Sequence, residues 1–215
     1  MTSDVTSGCV DVIDDDADVR ASIGSLLRSA GHRVRLFEST AAFLSTERLE
    51  EPNCLVLDIR LSGENGLDFQ ERIAEQSAPV PVILITGYGD IPMTVRGMRA
   101  GAVDVLPKPF GDEQLLEAVA AALALSTSQR RDAAQSAGLR QRYDCLTARE
   151  KEVMALVVTG LMNKQVAAHL GLSEITVKIH RGNVMRKMAA QSLADLVRMA
   201  EELGVRDESI SRYSI

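Results

Sequence analysis

Four apolar runs in the first half of the chain each stop at a residue with chemistry. CVDVI runs into Asp14 and Asp15, CLVL into Asp58, VPVILI into Thr86, and AVDVLP into Lys108. Near-continuous Val, Ile and Leu suits strands buried on both faces of a parallel sheet. If the runs lie side by side, their carboxyl ends form one edge, and open α/β sheets bind ligands at that edge. Three carboxylates, a hydroxyl and an ammonium would then share one shallow pocket. That combination suits a divalent cation and a phosphoryl group.

The spacing between the runs predicts the rest of the first domain. Strand-like stretches near 9–13, 33–37, 54–57, 81–85 and 103–106 alternate with helix-like ones. In the first of these, Asp16 is a plausible N-cap, Val19, Ile23, Leu26 and Leu27 form a helical stripe, and Gly31 is a stop. STAAFLSTER, ENGLDFQERIAEQ, DIPMTVRGMRAG and GDEQLLEAVAAALAL follow. Strands alternating with helices in this way predict a doubly wound, five-stranded parallel α/β domain with helices on both faces. The stretch STSQRRDAAQSAGLRQR is polar and basic, and reads either as a linker or as a helix continuing the fifth one. Gly138 counts against an unbroken helix there.

The last third has no strand signal. Thr147 and Glu150 make a capping box ahead of Val153, Leu156 and Val157, and Gly160 stops that helix. Asn163 to Leu170 is a short helix ended by Gly171. Ser173 caps a third helix running to about Met188, and Ser192 caps a fourth ending near Gly204. Four short helices with tight glycine turns predict an all-α four-helix helix-turn-helix domain. The expected organisation is therefore a first domain over 1–125, a linker, helical or not, over 126–143, and a second domain over 144–215.

Charge supports two parts with different partners. Residues 1–124 carry a net −10, 125–143 a net +3 and 144–215 a net +1, within a total of −6. The second part is only mildly basic, so charge alone does not identify a nucleic-acid binder. No apolar run approaches the ~18 residues of a membrane helix, and residues 1–8 lack a basic, apolar signal pattern. The expectation is a cytoplasmic protein with no membrane partner. Cys9, Cys54 and Cys145 are scattered; Cys9 and Cys54 begin strands, where burial as small hydrophobes is the plain reading.

Magnesium takes oxygen ligands, and Asp14, Asp15 and Asp58 can supply carboxylates. Two carboxylates 4 Å apart repel by about 4 kcal/mol at an effective dielectric of 20, so a cation or a protonation shift is expected. Asp58 stands alone at its strand end, which suits a nucleophile forming an acyl phosphate. Thr86 could hydrogen-bond a phosphoryl oxygen and Lys108 could neutralise one. The bond from Lys108 to Pro109 can be cis in a tight turn, one way to point the lysine inward. Singly, the acids have plainer explanations: a solvated helix start for Asp14 to Asp16, a turn residue for Asp58. Their joint placement after separate strands favours a site.

VIDDD at 12–16, LVLDIRLSGENGLDF at 55–69, ITGYGD at 85–90 and LPKPF at 106–110 together resemble the receiver domain of bacterial two-component signalling, a flavodoxin-like fold. The resemblance implies that a sensor histidine kinase phosphorylates Asp58. It implies that Asp15 binds Mg2+ directly, Asp14 largely through water, and that the Arg60 backbone carbonyl completes the protein ligands. Thr86 would follow the phosphoryl group and Lys108 would pair with it. Ser62 replaces a frequent proline, which predicts a looser loop. Val105 stands where a switch aromatic is usual. Tyr88 lies close in sequence, but reads more simply as an exposed loop aromatic.

In the last third, SEITVKIHRGNVMRKM is amphipathic. Val177, Val184 and Met188 should face the core, with Thr176, Lys178, Arg181, Asn183, Arg186 and Lys187 largely outside it. Such a helix can enter a major groove, or can be a surface helix with solvated charges. The stretch from LTARE to MRKM resembles the LuxR-type helix-turn-helix. That resemblance implies base contacts by Lys178 and Ile179, and phosphate contacts by Asn163, Lys164, Arg186 and Lys187. Gly182 replaces a frequent long side chain, so readout there is absent or falls to Arg181 or Asn183. His180 should pack against the preceding helix.

The whole chain resembles the FixJ and NarL class of response regulators, nearest a FixJ-like branch. The expected function is transcriptional regulation through double-stranded promoter DNA. Phosphorylation would change the face at about 91–124 and favour a homodimer, with RNA polymerase as a further partner. Two alternatives stand: a DNA-binding regulator whose receiver acts without phosphorylation, and a magnesium phosphohydrolase. Arg60, where such a hydrolase needs a second acid, counts against the latter.

Overall fold

The computed structural model describes residues 8–47, 52–74, 80–87 and 91–205. The chain divides into two compact units, Met1–Arg130 and Arg131–Ile215. In the first, strands β1 (Cys9–Ile13), β2 (Arg33–Phe37), β3 (Cys54–Asp58), β6 (Val82–Thr86) and β7 (Asp104–Pro107) form a parallel sheet in the order β2-β1-β3-β6-β7. A two-stranded antiparallel pair, β4 (Arg60–Leu61) and β5 (Glu64–Asn65), follows β3. Helices α1 (Ala17–Ser29), α2 (Thr40–Ser45), α3 (Gly66–Ala74), α4 (Ile91–Arg99) and α5 (Asp112–Asp144) make the connections and the exit.

The unbroken apolar strands fill two cores. Val10, Val12, Cys54, Val56, Ile83 and Ile85 pack with Ile23, Leu27, Leu115 and Val119 of α1 and α5. Ile13, Leu55, Leu57 and Leu84 pack with Phe43, Leu67, Phe69 and Ile73 of α2 and α3. β1, β3 and β6 are thus covered on both faces, as their composition requires. One charge interrupts this. Asp11 in mid-β1 is fully buried, and both its oxygens accept from Arg35 of β2, at 2.6 and 2.8 Å. Cys9 and Cys54 are buried thiols, and burial pushes the Cys54 thiol far up; Cys145 is exposed.

The stretch at 126–142 is helical throughout. Helix α5 runs unbroken for 33 residues across Gly138, and the boundary between the units falls within it. The expected obstacle at Gly138 costs only about 1 kcal/mol against alanine. Its neighbour Leu139 is buried in the core of the second unit, which offsets that cost.

The second unit continues with α6 (Ala148–Val157), α7 (Asn163–Leu170), α8 (Glu174–Met188) and α9 (Leu193–Glu202). Each start is fixed locally. Thr147 and Glu150 close a capping box, and Ser173 and Ser192 accept from the third backbone N–H after them. Val153, Leu156, Val166, Val177, Val184, Met188 and Leu196 form the core.

Candidate functional site

The parallel register puts the ends of β1, β3, β6 and β7 together. Leu57 lies opposite both Ile13 and Leu84, and Asp58 opposite Ile85, so Asp14, Asp58 and Thr86 emerge side by side. Thr86 pairs with Pro107, and the Lys108 N–H donates to the Thr86 carbonyl at 2.7 Å. Asp14, Asp58 and Thr86 are buried. The Lys108–Pro109 bond is cis, and the Lys108 ammonium donates to Asp14 Oδ2 at 2.8 Å and to Asp58 Oδ2 at 2.6 Å. Asp15 is exposed, yet one oxygen from each of Asp14, Asp15 and Asp58 lies within 4.8 Å of the others.

The remaining oxygens are also held. Asp58 Oδ1 accepts from the Arg60 N–H at 3.0 Å, and Asp14 Oδ1 from the Asp16 N–H at 2.9 Å. Burial pushes the Asp14 carboxyl up, with the Lys108 hydrogen bond opposing it. Burial likewise disfavours the Lys108 ammonium, but its hydrogen bonds to Asp14 and Asp58 prevail and hold it above the ordinary lysine value. The Ser62 hydroxyl holds Asp15 below the usual aspartate range.

Ser62 does not loosen its loop. Both its N–H (3.1 Å) and its hydroxyl (2.5 Å) donate to Asp15 Oδ2, two bonds that a proline cannot make. Gly63 turns the β4–β5 pair at a φ of 97°, a conformation that needs glycine. Gly66 is a further functional position that sequence reasoning passed over: a Cβ there would sit 2.2 Å from the Asp58 carbonyl oxygen. Its signal was a glycine opening a helix just after the acid. Arg20 was also passed over, and its guanidinium bonds the Asp14 carbonyl at 2.5 Å.

Val105 is half-buried against the cluster containing Leu67 and Leu84, and Tyr88 lies outside the described residues.

On α8, Val177, Val184 and Met188 are buried as expected. The polar residues expected to meet DNA, on α7 and α8, divide into two groups. Lys164 and Lys178 are exposed and make no hydrogen bond or ion pair among the described residues. The others are engaged. Arg181 donates to Asn163 Oδ1 at 3.2 Å, Arg186 to Asn183 Oδ1 at 3.1 Å, and the Thr176 and Ser173 hydroxyls lie 2.8 Å apart. Lys187 departs furthest from its expected place. It is half-buried, and its ammonium donates to Glu150 Oε2 at 2.6 Å, where Glu150 is only 3% exposed. A buried carboxylate needs a partner more than a solvated lysine needs water. Ile179 is exposed, as is Ile175 one turn earlier. His180 is half-buried, its Nδ1 unpartnered.

Residues 10–120 match the model of the response regulator receiver domain, and residues 144–200 that of the bacterial regulatory proteins of the luxR family. Nodulation protein W of Bradyrhizobium diazoefficiens is 52% identical over 93% of this chain and 88% of its own length. Among solved structures, the response regulator StyR is similar with a TM-score of 0.80 at 45% identity, over 90% of this chain and 98% of that one. Full-length FixJ from B. japonicum is similar with a TM-score of 0.56 at 38% identity, over 94% of this chain and all of that one.

Proposed function

Since the chain belongs to the FixJ/NarL family of response regulators, phosphorylation-activated transcriptional regulators that join a receiver to a LuxR-type DNA-binding domain, we propose that Asp58 is its phosphoacceptor. The observation that carries this is the Asp58 carboxylate itself. It lies at a strand end with one oxygen on Lys108 and the other on the Arg60 N–H. A carboxylate oxygen of Asp58 attacks the phosphorus of the kinase's phosphohistidine. The P–N bond breaks, the imidazole leaves with that electron pair, and an acyl phosphate forms. Lys108 pairs with one phosphoryl oxygen and the Thr86 hydroxyl donates to another.

The donor set fits magnesium, with three clustered carboxylates against one ammonium. Asp14, Asp15, Asp58 and the Arg60 backbone carbonyl would hold it. When bound, the ion neutralises charge on the phosphoryl oxygens that Lys108 alone leaves unbalanced. Ser62 holds Asp15 in place for this.

We assign the sensor kinase to a depression of about 570 Å³ beside Lys108, walled by Val19, Ile23, Leu26, Phe110 and Leu115. We assign a homodimer to α4, where Ile91, Val95 and Met98 form an exposed apolar stripe at helical spacing. A dimer would let two copies of α8 enter successive major-groove half-sites of promoter DNA. RNA polymerase would meet the DNA-bound dimer. The aspartyl phosphate serves as a signal and not as an intermediate of turnover, so the chain should not turn over small phosphate esters.

Radiolabel from acetyl phosphate should enter the wild type and be absent from Asp58→Asn. Retained labelling at the same site sinks the assignment.

A further inference from the structure

We infer that Glu64 is a positioning residue for the magnesium site, fixing the hairpin that carries the Arg60 carbonyl. The inference rests on the phosphoacceptor reading above, and concerns residues outside the acidic pocket. β4 and β5 are two residues long each, and pair Arg60 with Asn65 and Leu61 with Glu64. A lone hairpin that short does not hold its shape in water, so its place is set by what it is fastened to. The turn is fastened at Ser62, through Asp15. The returning strand is fastened at Glu64. Its Oε2 accepts from the Thr40 hydroxyl at the start of α2, and its Oε1 lies 2.7 Å from the Arg72 guanidinium of α3.

Both fastenings stand on one core. Thr40 is 6% exposed, and a hydroxyl buried so deeply needs a partner. Arg72 lies over the Phe69 ring, 5.4 Å from its centroid, and Phe69 meets Phe43 of α2 edge-on at 5.8 Å. Groups that orient ligands set metal affinity along with the ligands themselves. A carbonyl on an unfastened hairpin has to be ordered as the ion binds, and that ordering weakens binding. Glu64 also carries a negative charge, which by itself favours a nearby cation. Its two partners separate position from charge. Removing Arg72 takes away a positive charge, so a purely Coulombic role for the group strengthens magnesium binding, whereas loss of the clamp weakens it. Replacing Thr40 by valine changes no charge.

The test uses the full chain in two assays. Mg2+ affinity is read from backbone amide NMR shifts during titration, with no phosphoryl donor present. Labelling from acetyl phosphate is then followed as a function of Mg2+ concentration. Glu64→Ala should weaken Mg2+ binding about tenfold. Thr40→Val and Arg72→Gln should each weaken it about fivefold, the equivalent of one hydrogen bond. In all three variants the half-saturating Mg2+ for labelling should rise by the same factor, and the labelling rate at saturating Mg2+ should match the wild type. The Arg72 side chain is 57% exposed, so Arg72→Gln should fold as the wild type does, and its result decides even if Thr40→Val fails to fold. Unchanged or tighter Mg2+ binding in Arg72→Gln overturns the inference while leaving the phosphoacceptor in place. So does a labelling rate in Arg72→Gln that stays low at saturating Mg2+, which marks general damage to the fold. A wild type that binds no Mg2+, or labels equally well without it, overturns the magnesium reading and this inference with it.

Discussion

The acidic pocket and the α8 surface place their working side chains in opposite ways. In the pocket, Asp14 and Asp58 both accept from Lys108, and even the exposed Asp15 is tied to Ser62. On α8, Lys178 is exposed and makes no hydrogen bond or ion pair among the described residues. The pocket must hold charges at fixed separations before any phosphoryl group arrives, and only a network inside the fold can do that. The helix needs its reading groups uncommitted, so that the groove is their first partner. Engagement marks function in one unit, and its absence marks function in the other.

The contrast can be broken by substitution. Asp11→Ala should be the most damaging to the first unit, because it removes the buried acceptor of both Arg35 hydrogen bonds from the middle of β1. A loss of about 3 kcal/mol is expected, read from the urea midpoint of that unit. An unchanged midpoint would mean that its internal charges are not what holds it.

Lys187 is the sharper case, a cation of the reading helix that behaves like a pocket residue. Lys187→Met should lower the stability of the second unit by about 2 kcal/mol and leave the salt dependence of DNA binding unchanged. Lys187 holds the Glu150 carboxyl below the ordinary glutamate range. The unfolded chain therefore binds more protons than the native one as pH falls toward and through that lowered value. The stability this pair contributes is present above the ordinary glutamate value, near pH 4.5, and is lost below it as Glu150 protonates. Lys187→Met should flatten that acid limb in a melting series. If it instead reduces the salt slope, Lys187 belongs with the DNA contacts.

Lys164→Ala and Lys178→Ala should do the reverse. Each should leave the melting temperature within error. If each contacts one phosphate, each should also reduce the slope of log affinity against log salt by about 0.9. The smallest effect is expected at Ala189, which ends α8 in the left-handed region at a φ of 57°. Ala189→Gly should stabilise the second unit by about 0.5–1 kcal/mol without altering DNA binding.

The strand ends, helix caps and two-domain plan were legible in the residues because each is a local signal. Asp16, Thr147, Ser173 and Ser192 all cap the helices they precede. What was not legible depends on distant contacts. That Ser62 secures Asp15 requires residues 47 apart in the chain to meet. Lys187 reads as a surface base until Glu150, 37 residues earlier, is buried against it. Gly66 is an ordinary glycine until β3 passes 2.2 Å from where its Cβ would be. The continuity of α5 across Gly138 was an open alternative that propensity alone could not decide, because the burial of Leu139 tips it.

Gly182 has a consequence for how such a regulator diversifies. A Cβ there would meet nothing within 4 Å, and almost any residue would favour the helix by up to about 1 kcal/mol over glycine. The position is therefore free to mutate without cost to folding. A single codon change, to arginine for instance, would add a donor pair aimed at the groove and shift the set of promoters recognised. The fold keeps one vacant address at its reading surface, where new gene targets can be acquired before any old one is given up.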